Sequence, residues 1–143
     1  MTDQHNLQRF VDAQEGTFRT ALDELKAGSK GGHWMWFIFP QLAGLGRSPT
    51  AQHYGIECLD EARGYLADSV LGPRLRQCAE ALLPWTGRRS AEQIFGTVDA
   101  MKLRSCLTLF DQVEPYGIFA AALAGFFAGD ADQRTLALLN GRA

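Results

Sequence analysis

The stretch from Trp34 to Phe39 constrains the fold of this chain more than any other, because it is a run of six consecutive large apolar side chains. Neither a helix nor a strand made from such a run has a polar face, so other elements must cover it on nearly all sides. We therefore expect it at the centre of the core, with Trp36 fully packed. Polar residues on or beside glycine-rich loops bracket the run: His33, Gln41, Arg47 and Ser48. Since glycine lets backbone approach a ligand closely, this edge is where we look for function.

The rest of the chain follows helical periodicity. Apolar residues between positions 6 and 26 recur at spacings of three, four and seven, which predicts a helix with Gly16 as a candidate break. Pro40 ends the aromatic segment, Ser48 followed by proline predicts an N-cap, and Ser90 with Gln93 forms a capping box. Further helices are predicted over 49–54, from about 59, and over 68–83, 91–96, 97–113, 116–127 and 132–139.

No stretch of useful length alternates with period two, and the chain offers no second strand to pair with the aromatic run. A chain of 143 residues is large enough to bury one substantial core. The sequence therefore predicts an all-α protein, with residues 1–143 forming a single irregular domain of roughly seven to nine mostly short helices.

Charge and hydrophobicity argue against nucleic acids and membranes as partners. The net charge of −2 provides no basic field for nucleic acid or an anionic membrane. The apolar run is far shorter than the roughly 20 residues that span a bilayer. The polar start of the chain lacks the pattern of a secretory signal, so we expect a cytoplasmic protein. The cysteines, Cys58, Cys78 and Cys106, are odd in number and fall near apolar helix faces, which is typical of core residues.

The strong catalytic and cofactor motifs are missing. The chain has no Gly-x-Ser-x-Gly, His-Glu-x-x-His, P-loop or dinucleotide-binding glycine pattern. His5, His33 and His53 lack metal-ligand spacing. We therefore predict neither a metal site nor a cofactor, and no residue is assigned as catalytic.

Two segments remain as candidates for binding. If Ser48 caps a helix, its hydroxyl, the free N–H groups of the first turn and Arg47 could together bind a phosphate or carboxylate. The alternative is a plain cap beside a solvated arginine. The second segment is the helix around Lys102 and Ser105, which has apolar residues on two faces and would leave both side chains partly buried. Here the alternative is that Ser105 bonds to its own helix and Lys102 pairs with Asp99.

The aromatic edge, His33 to Phe39 with Gln41, also has a structural and a functional interpretation. Trp34 and Trp36 are more often core residues than a ligand platform, and His33 is more often a structural donor than a catalyst. Two indoles, an imidazole, the amide of Gln41 and the cation of Arg47 nevertheless occur within fifteen residues. An aromatic wall with a few polar anchors is typical of a small-molecule site.

Several motifs together strongly resemble a bacterial family of all-helical proteins catalogued as a domain of unknown function and sometimes mislabelled calpastatin. The motifs are His33-Trp-Met-Trp-Phe-Ile-Phe-Pro-Gln41, Leu45-Gly-Arg-Ser-Pro49, Tyr54-Gly-Ile56, Leu59-Asp-Glu-Ala62, Leu71-Gly-Pro-Arg-Leu75 and Lys102-Leu-Arg-Ser-x-Leu-Thr-Leu-Phe110. The resemblance covers nearly the whole chain and implies an all-helical domain, but no activity. A weaker similarity, in the order of these features, is to helical domains that process NAD- or ADP-ribose-linked metabolites. It aligns no catalytic acid, and Glu57, Asp60 and Glu61 are candidates by position alone.

Two hypotheses follow. The favoured one is a small-molecule site for a phosphate-bearing or NAD/ADP-ribose-derived ligand. Its predicted residues are Trp34 and Trp36 as the wall, with His33, Gln41, Arg47, Ser48, Tyr54, Lys102 and Ser105 as polar anchors. The alternative is a non-catalytic structural or protein-interaction module. Convergence of His33, Arg47 and Lys102 on one cavity would favour the first hypothesis.

Overall fold

The computed structural model describes residues 5–141. Within that range the chain forms ten α-helices and one short 3₁₀ helix. In chain order they are α1 (Gln8–Gln14), α2 (Phe18–Lys26), α3 (Met35–Ile38), α4 (Pro49–His53), α5 (Leu59–Ala67), α6 (Leu71–Leu82), the 3₁₀ helix (Leu83–Trp85), α7 (Ala91–Phe95), α8 (Thr97–Val113), α9 (Ile118–Phe127) and α10 (Gln133–Gly141). Residues 5–141 contain no strand, only an isolated parallel bridge between Leu42 and Ile56. The all-α prediction is confirmed.

Local sequence signals account for several of the helix ends. Ser48 Oγ accepts a hydrogen bond of 3.1 Å from the Ala51 N–H at the start of α4. Ser90 and Gln93 form the predicted capping box of α7, with both reciprocal hydrogen bonds present. Gly16 has a φ of +75°, which glycine adopts without strain, and it separates α1 from α2. This division makes the helix count one larger than the upper end of the expected range.

Helix α8 is the centre of the fold. It packs against α5, α7, α9 and α10, and its buried residues run without interruption from Leu103 to Phe110 except at Arg104. A chain of ring contacts crosses the core through this helix. Tyr65 lies 5.1 Å from Phe10 and 5.4 Å from Phe110, whose ring is 5.7 Å from Phe119, measured between centroids. The prediction of a central helix buried on two faces is confirmed.

Two of the three cysteines lie in this core. Burial raises the pKa of Cys78 to about 12 and that of Cys106 well above its usual value. Both are therefore thiols that behave as small apolar residues, as predicted. Cys58 is half-buried at the start of α5.

The aromatic run is only partly enclosed, so the expectation that Trp36 is fully packed is wrong. Trp34, Met35, Ile38 and Phe39 are each 2% exposed or less, whereas Trp36 and Phe37 are half-buried. The reason is that α3 is a single turn, which directs the residues at its two ends inward and the two in its middle outward. Six apolar residues in sequence thus still form an inner and an outer face.

A buried ion pair ties α1 to α5. Arg9 lies 2.8 Å from Glu61, which is 1% exposed, and the same guanidinium donates to the carbonyls of His5, Asn6, His53 and Gly55. Glu61 also accepts from the Glu57 N–H at 3.0 Å. All donors of the guanidinium are in use, so this pair holds the fold together and leaves no free charge for a ligand.

None of the helices described is both long enough and apolar enough to cross a bilayer. The longest, α8, carries charged residues at Asp99, Lys102, Arg104 and Asp111.

Trp34, directly before α3, and Trp36, within it, provide a matched test of this packing. Trp34→Ala removes a buried indole and should lower the free energy of unfolding by about 3 to 5 kcal/mol. Trp36→Ala removes a partly exposed indole and should cost roughly 1 kcal/mol. Urea denaturation of both variants measures the difference. Equal losses for the two variants would contradict the inner and outer faces assigned to α3.

Candidate functional site

One cavity, with a volume of about 210 Å³, lies where three segments distant in sequence meet: the loop after α3, the first two turns of α8 and the start of α10. Leu45, Gly46, Val98 and Met101 form its apolar part. The polar lining consists of Gln41, Lys102, Arg104, Ser105, Asp132 and Arg134. Apolar walls with a few convergent polar groups are typical of a small-molecule site.

The rim of this cavity is unusual in its exposed apolar surface. Within residues 5–141 the exposed large apolar side chains are Val98 at 67%, Met101 at 66% and Tyr116 at 98%. Two of these three line the cavity. Since exposed apolar side chains close to polar groups often mark a binding surface, their clustering points to the same place as the cavity.

A line of alternating charges leads from α2 to the cavity wall. Lys30 Nζ lies 2.9 Å from Asp99 Oδ2, and the other oxygen of Asp99 lies 3.4 Å from Lys102 Nζ. The Lys30 side chain is 7% exposed, and those of Asp99 and Lys102 are 21% exposed. Solvent therefore screens the attraction between these charges only partly. Lys102 ends the line at the cavity, with its ammonium 4.5 Å from the centroid of the Trp36 ring.

Glu24 fixes the other end of this line. Its Oε1 accepts hydrogen bonds from the N–H groups of Gly31 at 2.7 Å and Gly32 at 2.9 Å, and from the indole of Trp34 at 2.9 Å. Burial alone would raise the pKa of Glu24, but these hydrogen bonds together with the charge of Lys30 hold that pKa below its usual value. Lys30 also donates to the Gly32 carbonyl, so the loop over residues 28–32 is held on both sides.

Arg104 and Asp132 attach α10 to α8 and thereby complete the cavity. The Arg104 guanidinium donates to the carbonyls of Asp130 at 2.6 Å and Ala131 at 3.0 Å. Asp132 Oδ2 accepts from the N–H of Thr135 at 3.0 Å and from its hydroxyl at 2.6 Å. Asp132 therefore acts as the cap of α10, and its carboxylate faces the cavity at a fixed position.

The residues predicted from sequence do not all meet at one site. Gln41, Lys102 and Ser105 line the cavity, and Trp36 touches Lys102. Trp34 is buried in the core, donates its indole N–H to Glu24 and lies outside the cavity lining. His33 and Arg47 are exposed and lie outside the cavity lining, which means that the expected convergence of His33, Arg47 and Lys102 does not occur.

Two further predicted anchors serve the scaffold. Ser48 caps α4, as its alternative interpretation held. Tyr54 packs its ring 5.4 Å from Phe37 and 5.8 Å from Phe10, away from the cavity. Ser105 does bond back to the carbonyl of Met101 at 3.1 Å, but its hydroxyl also lies 3.3 Å from Asp132 Oδ2 on the cavity wall.

Seven lining residues were not among the predicted site residues: Leu45, Gly46, Val98, Met101, Arg104, Asp132 and Arg134. Val98 and Met101 lie in the first two turns of α8 and are exposed apolar side chains, a feature that only the structure reveals. Asp132 could be recognised in the sequence as a residue type that caps helices. Nothing in the sequence indicated that α10 packs against α8.

Other grooves are larger, and in two of them charged lining residues are already paired with each other. One of about 450 Å³ lies beside Arg9, His53, Glu57 and Glu61, where the Arg9 and Glu61 charges already neutralise each other. Another of about 500 Å³ includes Cys58, Asp60 and Arg63, with Asp60 and Arg63 3.7 Å apart. Residues 5–141 contain no group of three or more histidine, cysteine or acidic side chains arranged to hold a metal ion.

Comparison with known proteins agrees with the fold. A family model described as "Protein of unknown function (DUF1810)" matches residues 4–139. The chain is also similar to the conserved hypothetical protein Rv1873 from Mycobacterium tuberculosis, whose crystal structure was determined at 1.38 Å. The two are 48% identical, the match covers 96% of this chain and 99% of that chain, and the TM-score is 0.93. No curated protein matches.

The hydrogen bonds to Glu24 give a prediction with a defined pH dependence. Because the folded-state pKa of Glu24 lies below its ordinary value of 4.5, ionised Glu24 stabilises the fold above that pH, and the contribution is lost as the pH falls through the folded-state pKa. Glu24→Gln should lower the free energy of unfolding at pH 7 by about 1 to 2 kcal/mol, since a neutral acceptor replaces a charged one.

Urea titrations of the wild type and Glu24→Gln between pH 7 and pH 3 measure this effect. The difference between the two proteins should shrink below about pH 4.5. Glu15→Gln, at an exposed position between α1 and α2, is the control and should change little at any pH. A difference for Glu24→Gln that stays constant over the whole range would show that its charge has no role.

Proposed function

The chain belongs to the family described as Protein of unknown function (DUF1810), and we propose that it binds a small anionic molecule, such as a phosphate-bearing metabolite, in the cavity between α8, α10 and the loop over residues 41–46. Ligands derived from NAD or ADP-ribose carry the same phosphate chemistry and belong to this proposal.

The observation that carries the proposal is the incomplete ion pairing of Lys102. In the line Glu24, Lys30, Asp99, Lys102, each inner charge lies between groups of opposite sign, and Glu24 is further satisfied by two backbone N–H groups and an indole. Lys102 ends the line with one charged partner, Asp99 at 3.4 Å, which is already held at 2.9 Å by Lys30; its other contact is the face of the Trp36 ring. Since a partly buried cation is stabilised by a further anion, Lys102 offers a binding site directed at the cavity.

Arg134 adds a second cation to the same wall. It is exposed, lines the cavity and makes no ion pair with any side chain of residues 5–141. Arg104, by contrast, is occupied by Asp130 at 2.7 Å and by two carbonyls. Lys102 and Arg134 are thus the cations that remain to bind a phosphate or carboxylate, with Gln41 and Ser105 as neutral polar neighbours.

Lys102→Met tests the proposal directly, because methionine keeps the apolar stem and removes the charge. Asp99 keeps Lys30 as its partner, so the ligand-free stability should change by about 1 kcal/mol or less. The rise in melting temperature that inorganic phosphate or a phosphorylated ligand produces should be lost or strongly reduced, since a ligand stabilises only in proportion to its affinity for the folded state. Differential scanning fluorimetry over a phosphate titration measures both quantities.

Lys26→Met is the matched control, since Lys26 is exposed in the last turn of α2 and lies outside the cavity lining. It should respond to phosphate as the wild type does. Arg134→Ala and Arg47→Ala then locate the anion. A loss of response in Arg134→Ala supports the cavity, whereas a loss in Arg47→Ala alone would place the anion at the start of α4 and contradict the proposal.

A further inference from the structure

Resting on the proposed function, we propose that the ligand is a compact phosphomonoester carrying hydroxyl groups, of the size of a sugar phosphate, and that Asp132 recognises its hydroxyls. The proposal deepens the anion-binding role of the cavity, because it adds a second recognition element of opposite character on the same wall.

Asp132 presents an acceptor that the fold does not use. Its Oδ2 is saturated by Thr135 and lies 3.3 Å from the hydroxyl of Ser105. Its N–H donates to Thr108 Oγ1 at 2.9 Å, which fixes the backbone. Within residues 5–141 its Oδ1 makes no hydrogen bond, although a carboxylate oxygen has two lone pairs to offer.

None of the three cations that line the cavity, Lys102, Arg104 and Arg134, neutralises this carboxylate. Lys102 pairs with Asp99, and Asp132 forms no ion pair with a side chain of the described range. A wall with separate positive and negative groups is poorly matched to a bare anion, which Asp132 would repel. It is well matched to a molecule whose anionic end reaches Lys102 and Arg134 while its hydroxyls donate to Asp132 Oδ1.

The volume indicates how large a group the cavity can enclose. At about 210 Å³ the cavity lies below the roughly 300 to 1,000 Å³ typical of pockets for drug-sized ligands. A dinucleotide would therefore leave most of its surface outside, whereas a monosaccharide phosphate is of matching size. The apolar lining from Leu45, Val98 and Met101 suits the carbon face of a sugar ring.

Isothermal titration of the full chain at pH 8, where phosphomonoesters are fully ionised, tests this selectivity. The ligands are ribose 5-phosphate, ethyl phosphate, inorganic phosphate and NAD. We expect ribose 5-phosphate to bind about tenfold more tightly than ethyl phosphate, because a site built to accept hydroxyl hydrogen bonds discriminates against an analogue that lacks them. NAD should bind more weakly than ribose 5-phosphate.

Asp132→Asn separates recognition of ligand hydroxyls from the role of Asp132 as the cap of α10. Asparagine is also a good N-cap, so α10 should stay in place, but the group that faces the cavity no longer carries a negative charge. Affinity for ribose 5-phosphate should fall about tenfold, while affinity for inorganic phosphate should stay the same or rise. A purely structural role of Asp132 would weaken both ligands together and would overturn the inference.

The two proposals fail in different ways. Equal affinity for ribose 5-phosphate and ethyl phosphate, with both lost in Lys102→Met, would overturn the hydroxyl recognition and leave the anion site intact. Tighter binding of NAD than of ribose 5-phosphate would overturn the inferred size of the ligand. An absence of binding for all the phosphates would overturn the anion site and this inference together.

Discussion

A single carboxylate oxygen, Oε1 of Glu24, determines how the chain passes from α2 into its aromatic segment. Three donors converge on it, two from the glycine backbone and one from the indole of Trp34. The indole is 2% exposed, so its N–H has to find a partner inside the protein. Glu24 supplies that partner and orients the loop that carries Lys30. The position of Lys30 then fixes Asp99, and Asp99 fixes Lys102.

The cavity is consequently built on a rigid support. Its central element, α8, is enclosed by four other helices and contributes Phe110 to the chain of ring contacts across the core. Side chains on the first two turns of such a helix are held by packing beneath them, which favours a preformed binding geometry. The loop over residues 41–46 is positioned in turn by backbone hydrogen bonds between Gln41, Ala43 and Ile56.

Local sequence signals determined much of this structure, and tertiary contacts determined the rest. The caps at Ser48 and Ser90 and the break at Gly16 depend on a few neighbouring residues, so they could be predicted. The different environments of Trp34 and Trp36 could not, because they depend on the length of α3 and on what covers it. Of the candidate site, Lys102, Ser105 and Gln41 were found through their chemistry. Asp132 and Arg134 were not, since only the path of α10 brings them to α8.

The manner in which α10 is attached has a dynamic consequence. Thr135 is its buried residue, and the helix is held mainly by Arg104, the polar contacts of Asp132 and the partly buried Leu138 and Leu139. Such a helix can open locally at a lower free energy than the core requires for global unfolding. Opening would remove one wall of the cavity while the aromatic core stays intact. Ligand affinity and global stability are therefore separable properties here, and a bound molecule that spans α8 and α10 would slow hydrogen exchange first in the C-terminal helix.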